Sequence, residues 1–216
     1  MLELFTWFKQ SGYRWAGDGF TVYIDPWEVT EDQPADVIFI THAHDDHFSP
    51  EDIERIRKPD TAIIAPRDIA DDLSGVVKPV APGDADEIRG IGFQVVPAYN
   101  IVEDRRDNHP QAKGWVGYLI NLGDHTYYHA GDTDHLPELE KVRAAVTFLP
   151  IGGGGFTMDG REAAALAKAM SPHIAVPMHY GGFFPGTSGP DEVDVFRREA
   201  DPVRVETLEP QVPFPS

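Results

Sequence analysis

Thr41-His42-Ala43-His44-Asp45-Asp46-His47 crowds three imidazoles and two carboxylates into seven residues. The run just before it, Asp36-Val-Ile-Phe-Ile-Thr41, is nearly continuous apolar, as in a strand buried on both faces. The run just after it, Ser49-Pro50-Glu51-Asp52, combines an N-cap, a proline at the first helical position and carboxylates that oppose the helix dipole. A helix is expected from Pro50 to Arg57, which leaves the histidine cluster in a loop at a strand's C-terminal end. Ligands and catalytic groups gather in such loops in α/β sheets. His42 and His44 are two apart, so in extended backbone they point the same way and can grip one ion. Asp46 and His47 follow after a turn and can reach a second. Imidazole with carboxylate suits zinc, and also manganese or iron. A solvated polar loop is the competing explanation, but the chain has nine histidines in 216 residues, and three of them fall here.

Outward from this loop, short strands are expected at Leu2–Phe8, Gly19–Asp25, Thr61–Ala65, Val76–Val80, Asp86–Ile88, Phe93–Ala98, Gly117–Leu122, Thr126–His129, Val146–Pro150, Ile174–Pro177 and Val203–Leu208. Helices are expected at Pro66–Leu73, Leu136–Ala144, Gly160–Met170 and Pro190–Glu199, the third opened by Asp159. A polar insertion, Glu103 to Lys113, interrupts the middle strands, and a proline-rich tail closes the chain. No composition break or repeat divides it. The expectation is one α/β domain over residues 1–216 with two sheets.

Composition narrows the function. Lys and Arg number 18 against 36 Asp and Glu, a formal net charge of −18. That disfavours nucleic acid and anionic membrane surfaces as partners, since both need a basic face. Cysteine is absent, which excludes thiolate catalysis and disulfides. The N-terminus lacks the basic and apolar regions of a secretory signal, and no apolar run reaches the roughly 20 residues of a membrane span. A cytoplasmic protein without membrane insertion is expected, with a homo-oligomer left open.

Two further strand-end segments carry chemistry. In His129-Ala-Gly131-Asp132-Thr133-Asp134, the Asp132 carboxylate could bridge two cations about 3.5–4 Å apart, and Gly131 lets the backbone come close. Alone, a Gly-Asp turn is common. In Pro177-Met-His179-Tyr180-Gly181-Gly182, His179 is a ligand candidate, although a single strand-end histidine is more often structural. The four glycines at 152–155 lack the Lys-Ser/Thr of a phosphate-binding loop and read as a close-approach loop near the site.

Together, His42-x-His44-x-Asp46-His47, Gly131-Asp132-Thr133 and the late His179 resemble the metallo-β-lactamase superfamily, through nearly the whole chain. Ile24-Asp25-Pro26, Ala98-Tyr99-Asn100 and Gly131-Asp132-Thr133-Asp134 look most like the small stand-alone hydrolases grouped with ascorbate-6-phosphate lactonase and the phospholipase D that cleaves N-acyl-phosphatidylethanolamine. The resemblance implies a four-layer αββα sandwich with metals at the sheet edges. His42 and His44 would hold one ion, Asp46, His47 and His179 a second, with Asp132 bridging. The family pattern expects another histidine after the strand Phe93–Ala98, where this chain has Tyr99-Asn100. His109, in the polar insertion, is the nearest replacement, at the metal or over the substrate. Asn100 or an additional water could fill the position instead, so one ion or two remain open.

The expected activity is metal-dependent hydrolysis of a small-molecule ester, lactone or phosphoester by a metal-bound hydroxide, with Asp46, Asp132 and His109 as catalytic residues. Tyr99, Asn100, Lys113 and Tyr180 are candidate substrate contacts. A nuclease or phosphodiesterase, and a catalytically silent metal-binding or sensing module, are the alternatives. Of the other histidines, His125 and His173 read as solvated, His129 as supporting or core, and His135 as a possible pocket residue.

Overall fold

The computed structural model describes residues 1–31 and 33–214. The first sheet contains β1 (Phe5–Lys9), β2 (Gly12–Gly17), β3 (Phe20–Ile24), β4 (Ala35–Phe39), β5 (Arg57–Pro66) and β6 (Val76–Val80), hydrogen-bonded in that order. β1, β2 and β3 pair antiparallel, and β3 to β6 pair parallel. The connections to and from β5 carry α1 (Pro50–Ile56) and α2 (Arg67–Ala70). The second sheet contains β7 (Ala85–Ile88), β8 (Ile91–Pro97), β9 (Val116–Leu122), β10 (His125–His129), β11 (Val146–Pro150) and β12 (Ile174–Met178), also adjacent in chain order. Here β7 to β10 run antiparallel and β10 to β12 parallel. α3 (Gly160–Met170) links β11 to β12, and α4 (Glu192–Glu199) packs on α3.

Strand β4 and its extension show why the sheets stack. Val37 and Phe39 join the core between the sheets, while Ile38 and Ile40 join a second cluster with Ile53 and Ile56 of α1 and Ile69 of α2. All seven are buried because both faces of this sheet are covered, which is what the continuous apolar run anticipates. Phe39 meets Phe93 and Tyr118 of the second sheet at ring-centroid distances of 5.4 and 5.0 Å. On the far side, α3 buries Ala163, Ala164, Leu166, Ala167 and Met170, one helical face toward β11. The layers are helix, sheet, sheet, helix, as expected.

Strand direction positions the site. β1, β3 and β4 point the same way, so Gln10, Asp25 and the loop after β4 share one rim of the first sheet. By the same logic β8, β10, β11 and β12 deliver Asn100, Asp132, Gly152 and His179 to one rim of the second. The two rims meet, with the Val116 N–H donating to the Thr41 carbonyl at 3.1 Å.

Several sequence expectations are corrected. The N-terminal strand is a hairpin, and its second arm, β2, has too mixed a composition to read as a strand. Leu136–Ala144 forms only a single 3-10 turn at Leu139–Lys141, because the backbone turns extended at Val142. Its apolar spacing still buries Leu136, Leu139 and Val142. Val203–Leu208 makes only an isolated parallel bridge from Val205 to Ala175. Pro66–Leu73 shortens to the four residues of α2 because Pro66 ends β5. The C-terminal tail lies beside β1, where Gln211 and Val212 N–H groups donate to the Trp7 and Phe8 carbonyls at 2.8 and 3.1 Å.

Candidate metal centre

The loop after β4 is fixed from beneath by Asp25, which is fully buried at the end of β3. Its carboxylate accepts the Thr41 N–H at 2.8 Å and the Thr41 hydroxyl at 2.6 Å, and lies 2.7 Å from His47 Nδ1. That contact turns His47 Nε2 toward the space between the sheets. His42 Nδ1 lies 2.9 Å from the Thr41 hydroxyl, and its Nε2 is 3.1 Å from His44 Nδ1. Thr41 and Asp25 thereby orient two imidazoles of the motif, as partners of ligating histidines usually do.

Asp132 stands between two groups of ligand-type atoms. His42, His44, His109 and Asp132 each offer one atom within 4.8 Å of the others, and so do Asp46, His47 and His179. Asp132 Oδ2 lies 3.3 Å from His109 Nε2 and 3.0 Å from His179 Nε2, while Oδ1 lies 3.4 Å from His47 Nε2. His179 Nε2 is also 3.3 Å from Asp46 Oδ2. Gly131, at φ +63°, makes this approach possible: a Cβ there would sit 2.8 Å from the Val116 carbonyl oxygen. The seven side chains expected as metal ligands therefore lie close together, and the His109 ring, not the Asn100 amide, offers an atom to the group with His42, His44 and Asp132.

The polar insertion delivers His109. Asp134 accepts the Ile101 and Val102 N–H groups at 2.7 and 2.8 Å and pairs with the Arg105 guanidinium. Arg105 also reaches Glu162 at 2.8 Å, in the capping box of α3. Asn100 Nδ2 donates to the Arg105 and Phe156 carbonyls and lies 3.0 Å from His109 Nδ1. Asn100 is thus the strut of this loop, and Trp115 lies beneath it, its ring 5.0 Å from that of His42 and 4.9 Å from that of His44.

Burial and paired charge act in opposite directions on these groups. Burial pushes His42 well below the ordinary imidazole range and His44 down to about 4. Burial works against a charge on His47 too, yet Asp132, Asp46 and Asp25 hold it well above that range. His179, equally buried, is held up to about 9 by Asp132 and Asp46. Burial would neutralise Asp132, but His179 and His47 keep it ionised, and Asp46 is likewise held low by His47 and His179. Ionised carboxylates at this depth are stable only against positive charge. His47 Nε2, His109 Nε2 and Asp132 Oδ1 are buried and make no hydrogen bond. Nitrogen and oxygen donors of this kind, inward-facing and unsatisfied, fit a divalent ion of the zinc, manganese or iron type.

A cavity of about 340 Å³ opens onto these groups, walled by His44, Asp46, Asp132 and His179 with Asp45, Asn108, Phe156, Phe184, Pro185 and Thr187. The expected substrate contacts lie elsewhere. The Tyr99 hydroxyl donates to Glu138 at 2.7 Å, and Tyr180 packs its ring 5.2 Å from Trp7. Lys113 extends over Trp115 on the outside, with 53% of its side chain exposed. His135 pairs with Glu140 at 2.9 Å, away from the pocket. His129 is a supporting residue: its Nε2–H donates to the Ser11 carbonyl at 2.9 Å.

Sequence reasoning missed Gln10, whose carboxamide nitrogen lies 3.3 Å from Asp46 Oδ2 and 3.5 Å from His179 Nε2. Only the hairpin turn between β1 and β2, itself unrecognised, brings it to the rim. Phe156 and Phe184 were equally unmarked, since a loop phenylalanine carries no local signal of what it faces.

A two-sheet sandwich with clustered imidazoles and carboxylates at its meeting rims defines a metallo-β-lactamase fold. Residues 4–179 match the β-lactamase superfamily domain. The chain belongs to that superfamily, in the group named UPF0173 metal-dependent hydrolases. A member from Methanopyrus kandleri is 30% identical over 95% of this chain and 96% of its own. The crystal structure of a protein described as a metal-dependent hydrolase, from Parabacteroides distasonis, superposes with a TM-score of 0.82 at 31% identity, covering 96% of this chain and 93% of that one. Igni18, a metallo hydrolase from Ignicoccus hospitalis, gives 0.77 at 26% identity over 95% and 94%.

Proposed function

We propose that this chain is a hydrolase of small molecules that depends on zinc, or on manganese or iron, held by the seven converged side chains. His42, His44 and His109 would hold one ion and Asp46, His47 and His179 a second, with Asp132 shared. The observation that carries this reading is the buried, hydrogen-bond-free state of His47 Nε2, His109 Nε2 and Asp132 Oδ1 within the two donor clusters, which reach the cavity through His44, Asp46, Asp132 and His179. Bound there, such an ion supplies Lewis acidity and lowers the pKa of water toward neutrality.

The chain's own groups do the rest. Asp25 and Thr41 fix the imidazole tautomers, Gln10 holds the Asp46 carboxylate against His179, and Phe156 and Phe184 shed water from the mouth. Asp46 and Asp132, the two cavity carboxylates that lie among the imidazoles, are placed to hold the proton released as water attacks. The net charge of −18 supports a small-molecule substrate over a polyanionic strand, and a cytoplasmic setting accords with the composition. No helix among the described residues is long and apolar enough to cross a membrane.

The test is to strip the protein with a chelator and restore zinc or manganese, assaying generic esters, lactones and phosphodiesters. Activity should vanish and return. His109→Ala should fold normally and bind less metal by elemental analysis. Tight metal uptake with no turnover on any substrate would make the chain a binding module instead.

A further inference from the structure

Beyond His44, Asp46, Asp132 and His179, the cavity wall is Asp45, Asn108, Phe156, Phe184, Pro185 and Thr187, with no lysine or arginine. The nearby cations are occupied. Lys9 lies behind the aromatic wall, its ammonium 4.4 Å from the Trp27 ring centroid and 2.8 Å from Glu28. Arg105 is bound to Asp134 and Glu162. Phe184 is backed by Trp27, the rings stacked at 5.7 Å and 22°. Phe156 is tied through its carbonyl to Asn100 at 2.8 Å. Each aromatic wall is therefore braced by its own partner. The remaining charge on the rim, the exposed Asp45, is negative.

We propose that the pocket takes a substrate whose portion remote from the reacting centre is apolar, flat and uncharged or cationic, an aryl or alkyl ester or lactone, and that it rejects substrates with a second anionic group there. This rests on the hydrolase reading. Away from the imidazoles, an anionic arm would find no lysine or arginine to pair it and would meet the Asp45 carboxylate, and an unpaired charge at such a site is disfavoured. An aromatic arm gains contact with both phenylalanines, and a quaternary ammonium gains the ring faces besides. Cavities of this size bury a small ligand of that kind. For a phenyl ester, water gives its oxygen to the acyl carbon, the acyl carbon–oxygen bond breaks, and the departing phenolate oxygen takes up a proton.

The probes are acetanilides, which resist hydrolysis, bearing methyl, trimethylammonium or sulfonate at the para position, with binding to the zinc-loaded protein measured by calorimetry. Sulfonate is chosen because it is a poor zinc ligand. The methyl and trimethylammonium compounds should bind at least about tenfold more tightly than the sulfonate. Phe184→Ala should cancel most of that advantage at unchanged metal content. Equal or tighter binding of the sulfonate, or no binding of any of the three, overturns the proposal. The matched phenyl acetates are assayed for turnover in parallel. The predicted binding order without hydrolysis would leave the pocket assignment standing and remove the hydrolase reading. Hydrolysis with the sulfonate preferred would do the opposite.

Discussion

Asp25 offers no atom to the clustered donors, yet three of its contacts determine how that cluster is presented. A carboxylate with no exposure that accepts from Thr41 twice and touches His47 Nδ1 has no replacement nearby. Asp25→Asn keeps the shape and removes the charge, placing an amide N–H against either the Thr41 donors or His47. We expect zinc affinity to fall about 10- to 100-fold, read by competition with a chromophoric chelator, and stability to fall by roughly 1.5–3 kcal/mol. Wild-type affinity in that variant would show that Asp25 only supports the fold. At this scale the sequence was informative where chemistry is dense, as in His42 to His47. It was silent at Gln10, Phe156 and Phe184, whose types are ordinary and whose importance comes from what lies opposite them.

The four-glycine loop after β11 shows how an element shapes the pocket without contributing a functional group. Gly154 has φ +60°, and a Cβ on it would lie 1.6 Å from the Gly186 carbonyl oxygen. This contact sets the loop that carries Phe184, Pro185 and Thr187. Gly154→Ala combines a left-handed backbone with a backbone clash, so destabilisation of roughly 2–4 kcal/mol is expected, measured by urea titration. A change confined to ligand binding, with the midpoint intact, would mean that the loop shifts freely. Elements with a strong period were legible: α3 by its Asp159 cap and apolar face, β4 by its unbroken apolar run. β2 was not, because Gly12-Tyr-Arg-Trp-Ala-Gly17 pairs through its backbone and turn rather than through alternation. The Leu136–Ala144 segment misled because its helical spacing serves burial along a single turn that gives way to extended backbone at Val142.

Across the whole molecule, the donor groups come from both sheets: His42, His44, Asp46 and His47 from the first, His109, Asp132 and His179 from the second. An ion bound among them would tie the two rims together and bind the folded state alone, so the melting temperature should keep rising with the logarithm of free ion concentration above its dissociation constant. The gain should be larger at pH 8 than at pH 6. Ions compete with protons for His47, held well above the ordinary imidazole range, and for His179, held up to about 9. Calorimetric scans with and without chelator at both pH values test this, and a gain independent of pH would contradict it. At this scale the α/β sandwich was legible from the strand count and the loop motif, whereas the joining of the rims depends on strand directions that no single segment encodes. The tail beside β1 has its own consequence. Its Gln211 and Val212 bonds occupy carbonyls at the outermost strand of the first sheet, so a chain shortened before Glu209 would bare a template on which neighbouring copies could stack, strand upon strand, into aggregates.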